Sequence, residues 1–333
     1  MFKTRRKMIL ILFAIFLFII IMDSNTAVNA AKESIDMCIK TVVPSVFPFL
    51  FLGGAMAAEI AGTNIPILEQ LLHIPKGAAG YFLIGQLCGY PVGAKLLQDA
   101  MDRNEIDSSS AARMVSFCNN ASPAFIIGIM TPLFSDIRIA IILWFIQITS
   151  SLVLGMILPQ TKEAKIRIKM QQTQSITATM AGSIKGTATI CGWIVLLSIL
   201  LAYINQPIIS KVSPLGEAFL SGAIELTNGL FRLHKIQFES IRFAIGSVLL
   251  SLGGLCVLLQ TKSTAPNINI RAYLFARFMH AIISSTLATI IGHFIFTNNR
   301  TQLSCLALLI CGGIICYCIL IFNKKMVAIA DKV

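Results

Sequence analysis

The stretch GYPVGAKLL, residues 89–97, interrupts a long apolar region of the chain. Gly89 and Gly93 favour a break in a helix, Pro91 removes a backbone hydrogen bond, and Lys95 adds a positive charge. Such a break at membrane depth is tolerated only where the freed backbone groups are buried in protein or line a cavity. The stretch therefore indicates a functional interruption of a membrane-embedded helix.

A second break lies in SFCNNASPAFIIG, residues 116–128, where polar side chains and a proline interrupt another apolar run. Asn119, Asn120 and Ser122 carry hydrogen-bonding groups, and Pro123 cannot continue the preceding helix. Two breaks of this kind, within a short distance along the chain, predict one shared site.

The composition sets the class of protein. Of the 333 residues, 56% are hydrophobic and only 13% are charged, which is more apolar than a soluble domain. A helix needs about 20 apolar residues to cross about 30 Å of hydrocarbon. The sequence therefore predicts an all-α polytopic membrane protein with apolar segments at 8–28, 42–60, 78–97, 115–131, 137–158, 187–209, 214–233, 241–259, 272–296 and 303–322.

The formal net charge is +12. In a membrane protein, Lys and Arg concentrate in cytoplasmic loops beside anionic lipid headgroups. We therefore expect the lipid bilayer as a partner and no nucleic acid, because the sequence contains no nucleic-acid-binding module.

The distribution of charge predicts the topology. The N-terminus, the linker QTKEAKIRIKMQQTQ (residues 160–174) and the C-terminal tail are all basic, so all three belong on the cytoplasmic side. Five crossings before the linker would leave it outside, and five after it would leave the tail outside. One segment in each half therefore does not cross. We predict re-entrant hairpins at 115–131 and 241–259, which leaves about eight full crossings.

The two halves are then inverted repeats. YFLIGQL…VGAKLL can be laid on AFLSGAI…NGLFRL, with Gly85 over Gly222 and Val92 over Gly229. Opposed repeats with interrupted helices are the plan of secondary transporters. The predicted units are an N-terminal helix and connector (1–41), a first repeat (42–158), a basic cytoplasmic linker (159–181), a second repeat (182–296), and a C-terminal helix with a basic tail (297–333).

Several other features limit the function. The N-terminus fits either an uncleaved first helix or a cleavable signal peptide, and we predict the uncleaved helix. The nine cysteines lie in or near the apolar segments without the spacing of metal ligands, so we predict no metal and no other cofactor. The sequence contains no Ser-His-Asp, HExxH or P-loop spacing, so we predict that the protein is not an enzyme.

The sequence resembles a known group of membrane proteins. The blocks GQLCGYPVGAKLL and NEIDSSSAARMVSFCNNASPAFIIG look like the signature of the YlbJ (SpoVV) group of sporulation integral membrane proteins, which carry the nucleoside-recognition or Gate domain. VVPSVFPFLFLGG and LLSLGGLCVLLQ fit the same pattern, and the likeness covers most of residues 35–300. The chain departs at Ala121-Ser122, where the family pattern has Ser-Gly before the proline.

The resemblance implies two Gate-like repeats and the movement of dipicolinic acid across the outer forespore membrane, with the protein as a multi-pass component of that cell membrane. The residues permit this function independently, because a carboxylate in a low-dielectric layer needs hydrogen-bond donors and the positive ends of half-helices. The candidate substrate-binding residues in the first half are Gly89, Tyr90, Pro91, Gly93, Lys95, Asn119, Asn120, Ser122 and Pro123.

Lys95 has two interpretations, as the countercharge for an anion or as a helix-end lysine that reaches the headgroups. In the second half the candidates are Asn228 and Gly253 for substrate and Glu225 for ion coupling. The alternative functions are transport of nucleosides or another small metabolite, and a non-transporting structural or sensor role in a sporulation membrane complex. The sequence leaves open whether the protein forms a homo-oligomer.

Overall fold

The protein is helical throughout the residues that the structure describes. The computed structural model describes residues 2–60, 63–159, 175–205 and 208–296. A π-helical turn, Cys38–Val42, joins α2 to α3. The helices are α1 (Phe2–Met22), α2 (Ser24–Met37), α3 (Val43–Ile60), α4 (Pro66–Leu72), α5 (Ala79–Cys88), α6 (Val92–Asp102), α7 (Ser108–Cys118), α8 (Pro123–Phe134), α9 (Ile137–Ile157), α10 (Ile176–Asn205), α11 (Pro214–Ile224), α12 (Leu226–Arg232), α13 (Glu239–Leu252), α14 (Gly254–Thr264) and α15 (Ile270–Phe296).

Six described helical stretches are long and apolar enough to cross a membrane, which confirms a polytopic helical membrane protein. The predicted segment 303–322 lies outside the described residues. The six stretches are Ser24–Met56, Ser108–Phe134, Ile137–Ile157, Ile176–Asn205, Glu239–Thr264 and Ile270–Phe296.

The segment 115–131 is an interrupted helix, and the prediction of a hairpin there was wrong. Helices α7 and α8 run in one direction along the antiparallel helix α9. Arg113 on α7 bonds the carbonyls of Gly155 and Pro159 at the end of α9, while α8 meets the start of α9 through a short turn at Ser135. We call α7–α8 broken helix 1. Its break is stable because Ser122 caps α8 by accepting a hydrogen bond from Phe125 N.

The prediction of a hairpin at 241–259 was also wrong, for the same reason. Phe243 packs at Gly292 and Ser251 bonds Ser284, so α13 runs antiparallel to α15, and α14 continues in the same direction toward the start of α15. The chain breaks at Gly253, whose φ of 73° is in the left-handed region that favours glycine. We call α13–α14 broken helix 2.

The helical hairpins lie instead in the segments 78–97 and 214–233. Hairpin 1 is α5–α6: Tyr81 near the start of α5 donates to Glu105 just after α6, at 3.0 Å, so the two arms are antiparallel. Hairpin 2 is α11–α12, in which Glu217 near the start of α11 forms ion pairs with Arg232 at the end of α12 and with Lys235 just after it. Helical arms of 7–11 residues are too short to cross a bilayer, at about 1.5 Å per residue.

Close glycine contacts explain why hairpin 1 packs on broken helix 1. A Cβ atom at Gly85 or at Gly93 would overlap the carbonyl oxygen of Cys118, the last residue of α7. Both arms of hairpin 1 therefore contact the end of α7 closely, and a larger side chain at either glycine would prevent this contact. In hairpin 2, Gly222 and Gly229 bring the two arms into a similar contact with each other.

The packing defines two ends of the molecule. We call one end the linker end, because it contains Pro159 just after α9. The residues that follow α4 and α6 lie at the same end. Arg113 connects two parts of this end by donating to the carbonyls of Pro159 and His73. The distal end contains Asp23 and the turns after α8 and α12, where Arg242 bonds the Leu133 carbonyl. Hairpin 1 starts and finishes at the linker end, and hairpin 2 starts and finishes at the distal end.

Cysteine labelling tests this corrected topology. In a cysteine-free background, we expect Ser109→Cys and Ser135→Cys to react with an impermeant maleimide from opposite sides, because broken helix 1 separates them. Lys76→Cys and Ser109→Cys should react from the same side, since hairpin 1 returns to the end where it began. Labelling of positions 109 and 135 from one side would restore the hairpin at 115–131.

Candidate functional site

The tips of the two hairpins meet at a small buried cavity, which we call the tip cavity. Both hairpins end there because their arms are half the length of a crossing helix and enter from opposite ends. Its lining is Tyr90 from hairpin 1, Ser122 and Phe125 from α8, Glu225, Leu226 and Thr227 from hairpin 2, Cys256, Val257 and Gln260 from α14, and Val42, Val46, Ile190 and Ile194 from the surrounding helices.

The tip of hairpin 1 is fixed to broken helix 1 through the backbone. Tyr90 N donates to the Asn120 carbonyl at 2.5 Å. Gly89 has a φ of 77° and lies so close to Ser122 that a Cβ there would be 2.5 Å from Ser122 N. These contacts bring Tyr90 and Ser122 into the tip cavity, as the sequence predicted for the two breaks.

Asn119 and Asn120 form an asparagine clamp across the break. Asn119 donates to Thr261 Oγ1 at 3.1 Å and to the Tyr273 hydroxyl at 2.9 Å, and its Oδ1 accepts from Ala94 N at 3.4 Å. The clamp therefore joins broken helix 1 to hairpin 1, broken helix 2 and α15.

Asn120 is bonded on both sides of its amide and is fully buried. Its Nδ2 donates to the Phe117 carbonyl at 2.9 Å and to Ser151 Oγ at 2.8 Å, and its Oδ1 accepts from Arg277 at 2.8 Å. Both asparagine amides are thus occupied by protein atoms. We assign them to bracing the break, in place of the predicted direct donation to a solute.

Arg277 is a buried cation at the asparagine clamp that the sequence prediction did not include among the site residues; it does not itself line the tip cavity. The side chain is 2% exposed, and its Nη1 donates to the Asn119 carbonyl and to Asn120 Oδ1. Among the described residues, its Nη2 is buried without a hydrogen-bond partner and no acidic side chain forms an ion pair with it. An intramembrane arginine of this kind is a candidate functional residue.

Tyr90 carries a second unoccupied donor. Its hydroxyl is buried with no hydrogen-bond partner, its side chain lines the tip cavity, and it interacts electrostatically with Arg277. A carboxylate that accepts from both groups would satisfy two buried donors that otherwise lack partners. The sequence signal for Arg277 was that it is the single Lys, Arg, Asp or Glu in the apolar segment 272–296.

Glu225 forms the tip of hairpin 2. Its carboxylate accepts from Thr227 N at 3.1 Å, from Asn228 N at 2.7 Å and from Asn228 Nδ2 at 2.8 Å. It therefore caps the seven-residue helix α12 while it lines the tip cavity. The side chain is 1% exposed, and no cation in the described part of the chain forms an ion pair with it.

Lys95 lies away from the tip cavity. It pairs with Asp99 at 2.6 Å, its side chain is 45% exposed, and it lines a separate cavity of about 110 Å³ that also contains Tyr81 and Arg103. The structure therefore does not place Lys95 as a countercharge in the tip cavity.

The remaining predicted site residues have packing roles. Pro91 immediately precedes α6, and Pro123 is the first residue of α8. Gly93 packs on the Cys118 carbonyl. Gly253 provides the break in broken helix 2. Asn228 touches the site indirectly, because its amide bonds Glu225.

The site is closed in this conformation. The tip cavity measures about 30 Å³, which is room for about two water molecules. An aromatic dicarboxylate needs more space, so its binding requires the hairpin tips to separate. No group of three or more metal-ligating side chains occurs among the described residues.

The fold and the site define a polytopic helical membrane protein in which two opposed hairpins meet at a small, mainly apolar cavity that contains a few polar groups. The chain is a distant homologue of the sporulation integral membrane protein YlbJ of Bacillus subtilis (strain 168), with 27% identity over 157 residues. The match covers 44% of this chain and 38% of the relative, so it spans well under two thirds of the relative's length. No family model and no solved structure matches the chain.

The asparagine clamp predicts the effect of one substitution. We expect Asn120→Ala to destabilise the protein by about 1–3 kcal/mol, because Arg277 and Ser151 would lose a buried partner. Thermal unfolding in detergent measures this, with Asn64→Ala, in the exposed loop before α4 and outside the clamp, as a control. An unchanged unfolding temperature for Asn120→Ala would contradict the bracing role.

Proposed function

We propose that the chain is a membrane transporter of a small anionic solute, and that this solute is dipicolinic acid moved across the outer forespore membrane during sporulation. The observation that carries the proposal is the buried Arg277, whose Nη2 has no hydrogen-bond partner. The homology to a sporulation integral membrane protein supports the cellular setting.

The arrangement of hairpins and broken helices supports a transport role. Hairpin 1 starts from the linker end and hairpin 2 from the distal end. The hairpin and broken helix of the first half therefore run opposite to those of the second half. In the proposed topology the basic linker marks the cytoplasmic side. Inverted units whose interrupted helices meet at a central site are the plan of alternating access. The two units correspond to the Gate-like repeats of the sequence analysis.

The corrected hairpins preserve the charge parity. Eight crossings follow if α1, α2–α3, broken helix 1, α9, α10, broken helix 2, α15 and the segment 303–322 each cross once. The N-terminus, the linker and the C-terminal tail then share the cytoplasmic side. A hairpin contributes no crossing and a broken helix contributes one. Moving the hairpin to the neighbouring segment in each half therefore leaves the number of crossings unchanged.

The charge at the site supports an anionic solute. An isolated guanidinium in a low-dielectric interior is costly, and a bound carboxylate would offset that cost. Arg277 and Tyr90 offer two donors to such a group, while Phe125 offers an aromatic surface to the ring that carries it. A bound dicarboxylate therefore matches the chemistry of the tip cavity after it widens.

Removal of the charge tests the binding role. In proteoliposomes, we expect Arg277→Met to slow counterflow of labelled dipicolinate about tenfold or more, because a charge-assisted hydrogen bond contributes about 1.5–3 kcal/mol. Arg271→Met on the exposed start of the same helix, and Lys95→Met, should transport like the unmodified protein. Full transport by Arg277→Met at normal abundance would refute the role of this arginine.

Competition identifies the class of solute. Unlabelled dipicolinate should compete with the labelled probe, whereas uridine should not. Competition by uridine with no effect of dipicolinate would instead favour the transport of nucleosides.

A deletion strain tests the cellular role. In a spore-forming host without a second homologue, we expect spores to contain little dipicolinate while its synthesis continues in the mother cell. The dipicolinate content of purified spores measures this, and a plasmid copy of the gene should restore it. Normal spore content in the deletion strain would exclude the proposed solute.

A further inference from the structure

A second cavity opens at the distal end and approaches hairpin 2 from behind. This distal cavity measures about 320 Å³, and its polar lining includes Glu33 and Ser34 on α2, Ser198 and Asn205 on α10, and Asn228 on α12. Among the described residues, Asn205 Oδ1 is buried without a hydrogen-bond partner, which is typical of a group that bonds water. A polar cavity of this size holds on the order of twenty water molecules.

Asn228 links the distal cavity to the carboxylate of Glu225. The Asn228 amide donates to Glu225 Oε2 at 2.8 Å and to Ser198 Oγ at 3.0 Å, and Asn228 and Ser198 both line the distal cavity. Glu225 itself lines the tip cavity. The carboxylate is therefore placed between a water-accessible space and the proposed solute site.

The groups that face Glu225 leave its charge uncompensated. Cys38 at the start of the π-helical turn and Cys256 on α14 interact with it electrostatically, and Cys191 on α10 is hydrogen-bonded to Cys38. Tyr90 faces it from hairpin 1. None of these groups is a cation at neutral pH.

The charged groups of the distal cavity do not neutralise Glu225 either. Arg232 lines that cavity, but its guanidinium is paired with Glu217. Glu33 adds a further negative charge to the lining. Glu225 thus has only neutral donors in direct contact.

We infer that Glu225 is the proton-carrying group of the transport cycle and releases its proton to water in the distal cavity. This inference rests on the proposed function. In the loading step, with the site open to the linker end, a proton from water at that end binds a Glu225 carboxylate oxygen while a solute carboxylate binds Arg277. In the release step, with the site open to the distal end, the proton passes to water in the distal cavity and the solute leaves at that end. No other bond forms or breaks.

Electrostatics couples the two events. Glu225 and Arg277 both act on Tyr90, so their charges are felt at the same place. When Glu225 is ionised, its negative charge lowers the positive potential that Arg277 creates at Tyr90 and opposes an incoming anion. When Glu225 is protonated, the positive charge of Arg277 remains and attracts the anion. Proton and anion therefore bind with positive cooperativity, and each increases the affinity for the other.

The test uses full-length protein in liposomes, labelled dipicolinate as the probe, and a membrane potential held at zero with potassium and valinomycin. One arm measures counterflow at several pH values without a gradient. A second arm applies a gradient of one pH unit, and a third replaces all sodium by choline. The variants are Glu225→Gln, Glu225→Asp, which keeps a titratable group, and Glu239→Gln as a control on an exposed carboxylate.

For the unmodified protein, we expect the gradient to drive about tenfold accumulation per pH unit, which corresponds to one proton per solute, and choline to have no effect. Glu225→Gln should show counterflow that no longer varies with pH, and no accumulation. Glu225→Asp should keep accumulation, and Glu239→Gln should behave like the unmodified protein.

The outcomes separate the two proposals. Absence of counterflow in the unmodified protein overturns the proposed function and this inference with it. Counterflow without gradient-driven accumulation, accumulation by Glu225→Gln, or accumulation that requires sodium overturns the proton-carrying role and leaves the transport proposal intact.

Discussion

The hydrogen bonds of Asn120 are the interaction on which the rest of the arrangement depends. A helix that breaks inside a membrane exposes backbone groups that water cannot satisfy, so protein groups must replace the water. Asn120 joins the end of α7 to Ser151 on α9 and Arg277 on α15, and its carbonyl accepts from Tyr90 at the tip of hairpin 1. One residue thus fixes three crossing helices and one hairpin at a single depth.

The sequence predicted two segments that do not cross and assigned this role to 115–131 and 241–259, where the structure has interrupted helices instead. Basic regions on one side of the membrane fix only whether the number of crossings between them is odd or even. They do not indicate which of two neighbouring segments is the hairpin. The break at Asn119 and Asn120 favoured a hairpin because it is polar, yet those amides are bonded within an interrupted helix. A better signal was the polar second arm of each hairpin, VGAKLLQDAMD and LTNGLFR, which lipid would not tolerate as half of a crossing helix.

The candidate site was partly predictable for a similar reason. Tyr90, Ser122 and Glu225 follow local breaks, and all three line the tip cavity. Lys95 was the nearest cation in sequence, but its partner is Asp99, four residues away on the same helix, as helical spacing allows. Arg277 lies 157 positions from Asn120, and only the tertiary fold brings their side chains together.

The asparagine clamp contributes both to stability and to the proposed solute site. Asn120 both closes the broken helix and orients the guanidinium of Arg277, so a substitution there changes the fold and the site together. Arg277 Nη2 and the Tyr90 hydroxyl have no protein partner to lose. A conservative change such as Tyr90→Phe therefore removes a donor from the site while the backbone bond that fixes the hairpin tip is kept. Within the side chain of Arg277, Nη1 is bonded to the asparagine clamp, whereas Nη2 is buried and has no hydrogen-bond partner among the described residues.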